Sequence, residues 1–574
     1  MTFGGKIPTC YLNLFLILCV FSLMSACGSG GTTTGSISGF VKNGDEPVAG
    51  VTVTFQGTNI STVTNSSGAF TLRGVPAGSG ARISAWKEGY YCGLLTELVV
   101  PAKDVVVSLR RHQLTDYEQY EWVSPEGPSG CIQCHPALTE MAMQDAHLGA
   151  ATNPRFLSAY SGQDVLGNQS PDTTYKTITT QWGTFSVPQP YDRTKPYYGP
   201  GWRIDFPNST GNCTSCHIPG AATNGDVDPR SVKGADKYGV HCDFCHKVGH
   251  IHMDSGTGLP PVTSPGVQNI DLFRPNIFSN LWSQLFMGSL PDGNSLAEGV
   301  FSPDGGLNVI TFEAKRTLYS DSQYCAPCHH GGFWGQPVYT SYAEWADSPY
   351  ADRQSASYKT CQDCHMPSPT LYKGKVLTNI APGKGGIERN PSQLHSHNMT
   401  VPPELLRNSL TMNASAYMKG GEITVDVALT NDRTGHHIPT DSPLRHMILL
   451  VEARDSDGKM LKMTKGPKLP EWCGIGEPDD GYYANMPGKA FAKVLRELWT
   501  DVVPAVSYWR HTTLESDSRL AAFASDRSSY VFQSSGSPVS VTVTLIYRRA
   551  FIEMMKQKKW DSPDIVMAQQ KIGL

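Results

Sequence analysis

The sequence predicts a multidomain chain: a small β-sandwich near the N-terminus, a central region of short helices and long loops, and a larger C-terminal β-sandwich. Three observations carry this reading. Short runs of alternating, β-branched residues recur towards both ends. Five copies of Cys-x-x-Cys-His occupy the middle. The 574 residues include 56 Gly and 40 Pro, a turn-rich composition that suits long loops. Net charge is −4 with no stripe of Lys and Arg, so nothing points to nucleic acid.

The first 26 residues read as a secretory signal. Lys6 precedes an apolar run over 11–24, and Ser25-Ala26-Cys27 then offers a small-residue cleavage site. This junction resembles a bacterial lipobox, with Met24 where Leu is usual. The expectation is a lipoprotein with Cys27 lipid-modified, against plain secretion or an uncleaved anchor. Gly28 rather than Asp follows Cys27, which favours an outer-membrane or cell-surface address over the inner membrane; otherwise the chain is periplasmic. No later run approaches the roughly 20 apolar residues of a membrane span. Residues 27–35 form a flexible tether rich in Gly, Ser and Thr.

The first sandwich spans 36–112. Its predicted strands are 37–41, 51–55, 68–72, 81–86 and 105–109, with turns at Asn43-Gly44-Asp45, Ser66-Ser67-Gly68 and Val75-Pro76-Ala77-Gly78. Ile37-Ser38-Gly39-Phe40-Val41, Pro47-Val48-Ala49-Gly50-Val51-Thr52-Val53 and Thr64-Asn65-Ser66-Ser67-Gly68-Ala69-Phe70 resemble the carboxypeptidase regulatory-like family. That resemblance implies a seven-stranded, non-catalytic sandwich acting as spacer or docking surface.

The central region, 113–400, carries the motifs. Their cysteines are Cys131 and Cys134, Cys213 and Cys216, Cys242 and Cys245, Cys325 and Cys328, and Cys361 and Cys364. Each pair is followed by its histidine: His135, His217, His246, His329 and His365. Two thiols at this spacing can each form a thioether to one vinyl group of the same haem, and the next histidine then sits under the iron. With 15 Cys and 17 His in the chain, random arrangement predicts roughly 0.01 such motifs. A zinc ribbon needs no His after every pair, and a thioredoxin-like pair normally occurs once. The reading is therefore five covalent c-type haems. Helices are expected over 139–151 and 339–351.

The last domain, 401–574, has predicted strands at 422–429, 447–453 and 539–547, an insertion near 467–488 and a closing helix over 551–560. Together with the central region it resembles a bacterial multihaem (pentahaem) cytochrome c family. The resemblance rests on Gly239-Val240-His241-Cys242-Asp243-Phe244-Cys245-His246-Lys247-Val248, Tyr324-Cys325-Ala326-Pro327-Cys328-His329-His330-Gly331, Tyr342-Ala343-Glu344-Trp345, Cys361-Gln362-Asp363-Cys364-His365-Met366-Pro367 and Gly435-His436-His437-Ile438-Pro439-Thr440. The last pattern usually continues with Gly, where this chain has Asp441. The resemblance implies electron transfer.

Second axial ligands are sought among the other histidines. His147 is the first choice, on the helix expected after the first motif. His397 and His436 match family positions. His252 is favoured over His250, and His241 could reach a neighbouring haem. Cys92 and Cys473 are either a disulfide or two separate thiols. The leading function is an exported electron carrier working between redox partner proteins, tethered to the membrane by lipid. The alternatives are a multihaem oxidoreductase with one open haem, for which His330, His511, Tyr350 or Asp363 could serve, and a homo-oligomeric, haem-bearing surface filament.

Overall fold

The computed structural model describes residues 33–112, 115–276, 283–291, 310–382, 384, 386–534, 536 and 538–574. The expected signal, Cys27 and most of the tether lie outside these residues. The chain forms two compact units: one of Met1–Ala85 with Gly93–Arg110, the other of Trp86–Cys92 with Arg111–Leu574. Among the described residues, no helix is long and apolar enough to cross a membrane.

The first unit is a β-sandwich. One sheet pairs Thr34–Asn43 with Glu46–Pro47, with Ala69–Pro76 and, in parallel, with Ala102–Ser108. The other runs Ser61–Val63, Thr52–Phe55, Gly78–Trp86, Gly93–Val100. Alternation delivers Ile37, Val41, Val53, Leu72, Ile83 and Val107 to the interior, each fully buried. Gly39 has to be glycine, because a Cβ there would stand 1.9 Å from the Val105 carbonyl oxygen of the parallel neighbour. The strand Gly93–Val100 was not anticipated. Its burial is irregular, with Glu97 in a left-handed conformation (φ 56°) and a broken register against Gly78–Trp86.

The second unit ends in a larger sandwich. Its four-stranded sheet runs Thr411–Lys419, Glu422–Thr430, Ser525–Gln533, Met463–Lys465. Its five-stranded sheet runs Thr512–Asp517, Gly488–Glu497, His446–Arg454, Ser540–Arg548, Ile565–Gly573. The inner faces meet through Ile423, Val425, Leu449, Val451, Phe532, Val541 and Leu545. The closing helix is shorter than expected, Ile552–Lys558, and is stopped by Lys559 in a left-handed conformation. Cys473 is a buried thiol packed among Ile448, Leu450, Leu469 and Ile546, and of the two alternatives for it and Cys92 the separate thiols are found.

The described residues between 111 and about 400 pack on that sandwich within the same unit. They form short helices, 3-10 turns and two-stranded ribbons joined by loops. Polar contacts fasten them to the sandwich. Asp205 accepts from Arg510 and from the Trp509 indole, and Arg510 also reaches Glu497. Lys558 donates to the carbonyls of Ser158 and Gln163. Buried Glu344, on the Ser341–Ala346 helix, accepts from Arg519, Thr340 and Thr440.

Burial alone would raise the Glu344 pKa, but Arg519 and the two hydroxyls hold it down to about 2 against an ordinary 4.5. The folded value lies below the unfolded one. Glu344 therefore stabilises the fold above about pH 4.5, by about 3 kcal/mol, and loses that contribution as pH falls towards 2. In urea titrations between pH 6 and pH 3, the Glu344→Gln variant should lose less stability than wild type. Equal losses would contradict the role assigned to this carboxylate.

Candidate functional site

Four of the five motifs lie on single helical turns: Thr214–His217, Cys242–Cys245, Ala326–His329 and Cys361–His365. In such a turn, residues three apart share a face, so each pair of thiols points the same way with the histidine beside it. Motif one is instead a 3-10 turn, Cys131–Gln133, and His135 forms the N-cap of the Pro136–Met143 helix. Motif five carries a capping box in which the Asp363 carboxylate accepts from the Thr360 N–H.

Several imidazoles are held by one nitrogen only. His135 Nδ1 donates to the Ile380 carbonyl at 3.1 Å, and His246 Nδ1 to Met287 at 2.6 Å. His397 Nδ1 donates to His395 at 3.1 Å, and His436 Nδ1 to His437 at 2.9 Å. A carbonyl can only accept, so in a neutral ring Nδ1 carries the proton and Nε2 keeps its lone pair for a metal. Burial pushes His217, His365 and His397 down to about 4, so these rings are neutral at physiological pH.

The imidazoles also pair. The ring centres of His147 and His329 are 6.1 Å apart, and those of His365 and His436 are 6.4 Å apart with planes within 18°. Two imidazoles on opposite sides of one metal, each with a nitrogen about 2 Å from it, hold their centres about 6 Å apart. The residues present therefore fit two bis-histidine metal positions. His397 lies in the field of both His246 and His135.

Carboxylates stand behind the first pair. Asp145 Oδ1 accepts from His147 Nδ1 at 2.7 Å and from the His147 N–H at 2.8 Å. It also ties down the segment beyond His397 by accepting from the Met399 N–H at 2.6 Å. This local bonding ends the helix early: it stops at Met143, and His147 sits in a turn rather than on the helix expected over 139–151. The turn is held from outside by Gly239 and Val240. The Val240 N–H donates to the His147 carbonyl at 3.0 Å, and a Cβ on Gly239 (φ 62°) would come within 2.7 Å of that oxygen. On the other side, Asp441 Oδ1 lies 3.8 Å from His329 Nδ1, and Arg445 is 3.7 Å from Asp441 Oδ2. Burial would raise the Asp441 pKa, but His329 and Arg445 hold it well below the usual carboxylate range. Asp441 adopts φ 70°, a left-handed conformation that favours glycine.

The motifs touch one another. The Cys131 thiol meets Cys242, Cys216 meets Cys328, and Cys325 meets Cys361. Cys245 lies in the field of Cys328. Motif one thus abuts motif three, motif four abuts motifs two and five, and Tyr324, just before motif four, donates to the Cys245 carbonyl of motif three at 2.8 Å.

Two further expected ligands, His241 and His252, make contacts of their own. His241 is fully buried and caps the motif-three helix, with Nδ1 accepting from the Phe244 N–H at 3.2 Å. Its Nε2 is buried without a hydrogen-bond partner, 3.6 Å from Asp236, and its ring meets Trp122 edge to face. His252 is exposed, and its Nε2 is engaged by Asp271 at 2.7 Å. The groups considered for an open site are dispersed. Tyr350 stacks on Phe523 and His511 on Trp334, Asp363 is spent in its capping box, and His330 is buried with Nδ1 unpartnered. His395 was not singled out from the sequence, yet its Nδ1 donates to Met366, the residue after motif five, at 2.8 Å. Its alternation with His397 was the available signal. The helix expected over 339–351 is confined to Ser341–Ala346.

Residues 36–110 match the carboxypeptidase regulatory-like domain family and form such a domain. No curated protein matches the chain. A penta-heme cytochrome c552 from Thermochromatium tepidum shares the fold at a TM-score of 0.52 and 17% identity, over 77% of this chain and 97% of that one. A cohesin–X-dockerin complex protein from Acetivibrio cellulolyticus aligns over 13% of this chain and 58% of its own, at 24% identity and a TM-score of 0.13, too low to carry an argument.

Proposed function

We propose that this chain is an exported c-type cytochrome that carries electrons through five covalently bound haems. The observation that carries the reading is the gathering of five Cys-x-x-Cys-His motifs in one compact unit, with His147–His329 and His365–His436 at the spacing of axial pairs. When bound, the haems supply one-electron exchange between neighbouring irons. The chain's own residues do the rest. The ten motif cysteines fix each group covalently. His135, His217, His246, His329 and His365 are the proximal ligands, and His147, His397 and His436 are distal ligands. Backbone carbonyls and the Asp145 and Asp441 carboxylates hold the imidazoles in one tautomer and orientation.

The contacts between motifs support a branched array with motif four at its junction, since its thiols meet those of motifs two and five and the adjoining Tyr324 bonds to motif three. The regulatory-like sandwich serves as spacer or docking surface. Lipid on Cys27 would tether the protein to an outer membrane or cell surface, where it exchanges electrons between a redox partner protein and an external or periplasmic acceptor or donor.

Mass spectrometry of the processed protein should find about 3.1 kDa beyond the polypeptide, the mass of five haems. Bare thiols, or zinc in their place, would end this reading. A stoichiometric high-spin ferric signal with rapid binding of CO would instead favour a catalytic, open haem.

A further inference from the structure

His250, His252 and Asp271 gather on the surface of a β-hairpin. The hairpin pairs Val248–Ile251 with Ile270–Leu272, and its register places His250 opposite Asp271. Beyond the first strand, the His252 N–H donates to the Asn269 carbonyl at 2.9 Å, which keeps the chain extended. Residues two apart in an extended chain face the same side, so both imidazoles project towards the aspartate. His252 Nε2 is 2.7 Å from Asp271 Oδ1, and His250 Nδ1 is 3.5 Å from Oδ2. The two rings meet edge to face with centres 5.1 Å apart. One donor atom from each of the three residues lies within 4.8 Å of the others; among the described residues no other group of three His, Cys, Asp or Glu does this.

The scaffold beneath the cluster is firm while the cluster itself is open. Ile251 and Leu272, each next in sequence to a cluster residue, are buried on the opposite side, and Val248, beyond a break in register, is buried with them. The Phe273 N–H donates to the Lys247 carbonyl at 2.9 Å, and the Tyr319 hydroxyl to the Val248 carbonyl at 3.0 Å. The side chains of His250, His252 and Asp271 are 58%, 52% and 50% exposed. They can rotate without disturbing a core, yet their backbones are set by the ladder.

We propose that His250, His252 and Asp271 bind one divalent transition-metal cation. Two imidazole nitrogens and one carboxylate oxygen form a donor set suited to zinc, copper, nickel or iron rather than to magnesium or calcium. Bond lengths of about 2.0–2.2 Å in a tetrahedral site require donors about 3.4 Å apart. The cluster meets this by closing its widest separation and by moving the His252 ring proton from Nε2 to Nδ1, which frees the Nε2 lone pair for the metal. Three protein donors leave one position for water or an external ligand. None of the three residues belongs to a Cys-x-x-Cys-His motif, so the inference stands apart from the haem reading.

The test is equilibrium dialysis of the full holoprotein against zinc at neutral pH, beside His252→Ala and Asp271→Asn. Wild type should bind one zinc that each variant loses, or binds at least about tenfold more weakly. Magnesium at the same concentration should not compete. Because both altered side chains are exposed, each variant should keep the wild-type Soret spectrum, which verifies an intact fold. A copper(II) EPR signal with nitrogen hyperfine structure, present in wild type and lost in His252→Ala, would identify imidazole donors directly. Equal zinc stoichiometry and affinity in all three proteins would overturn the proposal.

Discussion

Replacing Asp243 with alanine should destabilise the second unit by about 4 kcal/mol. Asp243 and Lys247 are one helical turn apart around motif three, both side chains are wholly buried, and Lys247 Nζ is 2.5 Å from Asp243 Oδ1. The other carboxylate oxygen accepts from the Tyr120 hydroxyl at 2.9 Å and the Val123 N–H at 2.8 Å. Asp243 thus joins the motif-three helix to the 120–123 segment. Lys247 is additionally held over the rings of Phe286 and Tyr120, and burial alone depresses its pKa. Removing the carboxylate leaves a buried ammonium without its counter-charge and two donors without an acceptor, and breaking one side of a buried pair costs about 3–5 kcal/mol. Lys247→Met alone should also destabilise. The double variant Asp243→Ala/Lys247→Met should be more stable than the sum of the single effects predicts, because an apolar replacement of both partners strands no charge. Chemical unfolding of the four proteins measures this cycle. Additive losses would show that the two groups do not depend on each other.

What the sequence disclosed follows the reach of the interactions concerned. The motifs were legible because all the groups that define one lie within five residues. The inner strands of both sandwiches were legible because burial on one face writes alternation into the chain, as in Glu422–Thr430. The strand Ile565–Gly573 was not. It lies at the edge of its sheet with Met567 as its one buried residue, and it is held by Gln569 to Thr544 and by Gln570 to the backbone of Met412 and Ala414. Polar edge contacts leave no apolar period. Among the histidines proposed as distal ligands the division is similar. His436 stood in a recognisable pattern, and His147 lay just beyond motif one. The contacts of His241 and His252 with Phe244, Asp236 and Asp271 are ones that their neighbours in sequence do not announce. Asp441 shows a different limit. Its departure from glycine was visible, but its approach to His329 comes from folding the sandwich onto the central region.

That approach leads to the expectation with the largest spectroscopic effect. His147 and His329 differ from the other paired histidines in having a carboxylate behind each ring, Asp145 on one side and Asp441 on the other. A carboxylate behind an axial imidazole strengthens it as an electron donor and favours the oxidised metal. On the haem reading, this centre should have the lowest potential of the five. His147→Ala should therefore convert one centre per molecule from low spin to high spin and create one CO-binding site, leaving four centres unchanged. Asp441→Asn should leave the coordination of every centre unchanged while raising one midpoint potential. A tenfold loss of preference for the oxidised form corresponds to about 60 mV for a one-electron couple, and second-shell partners commonly carry factors of 10–100. The two variants separate ligation from tuning, since only the first changes spin state and only the second shifts a potential without opening a site. Magnetic circular dichroism with a spectroelectrochemical titration reads both. If His147→Ala stays wholly low spin and binds no CO, His147 is not an axial ligand. If Asp441→Asn moves no potential, the carboxylate behind His329 serves the turn and the Arg445 pair alone.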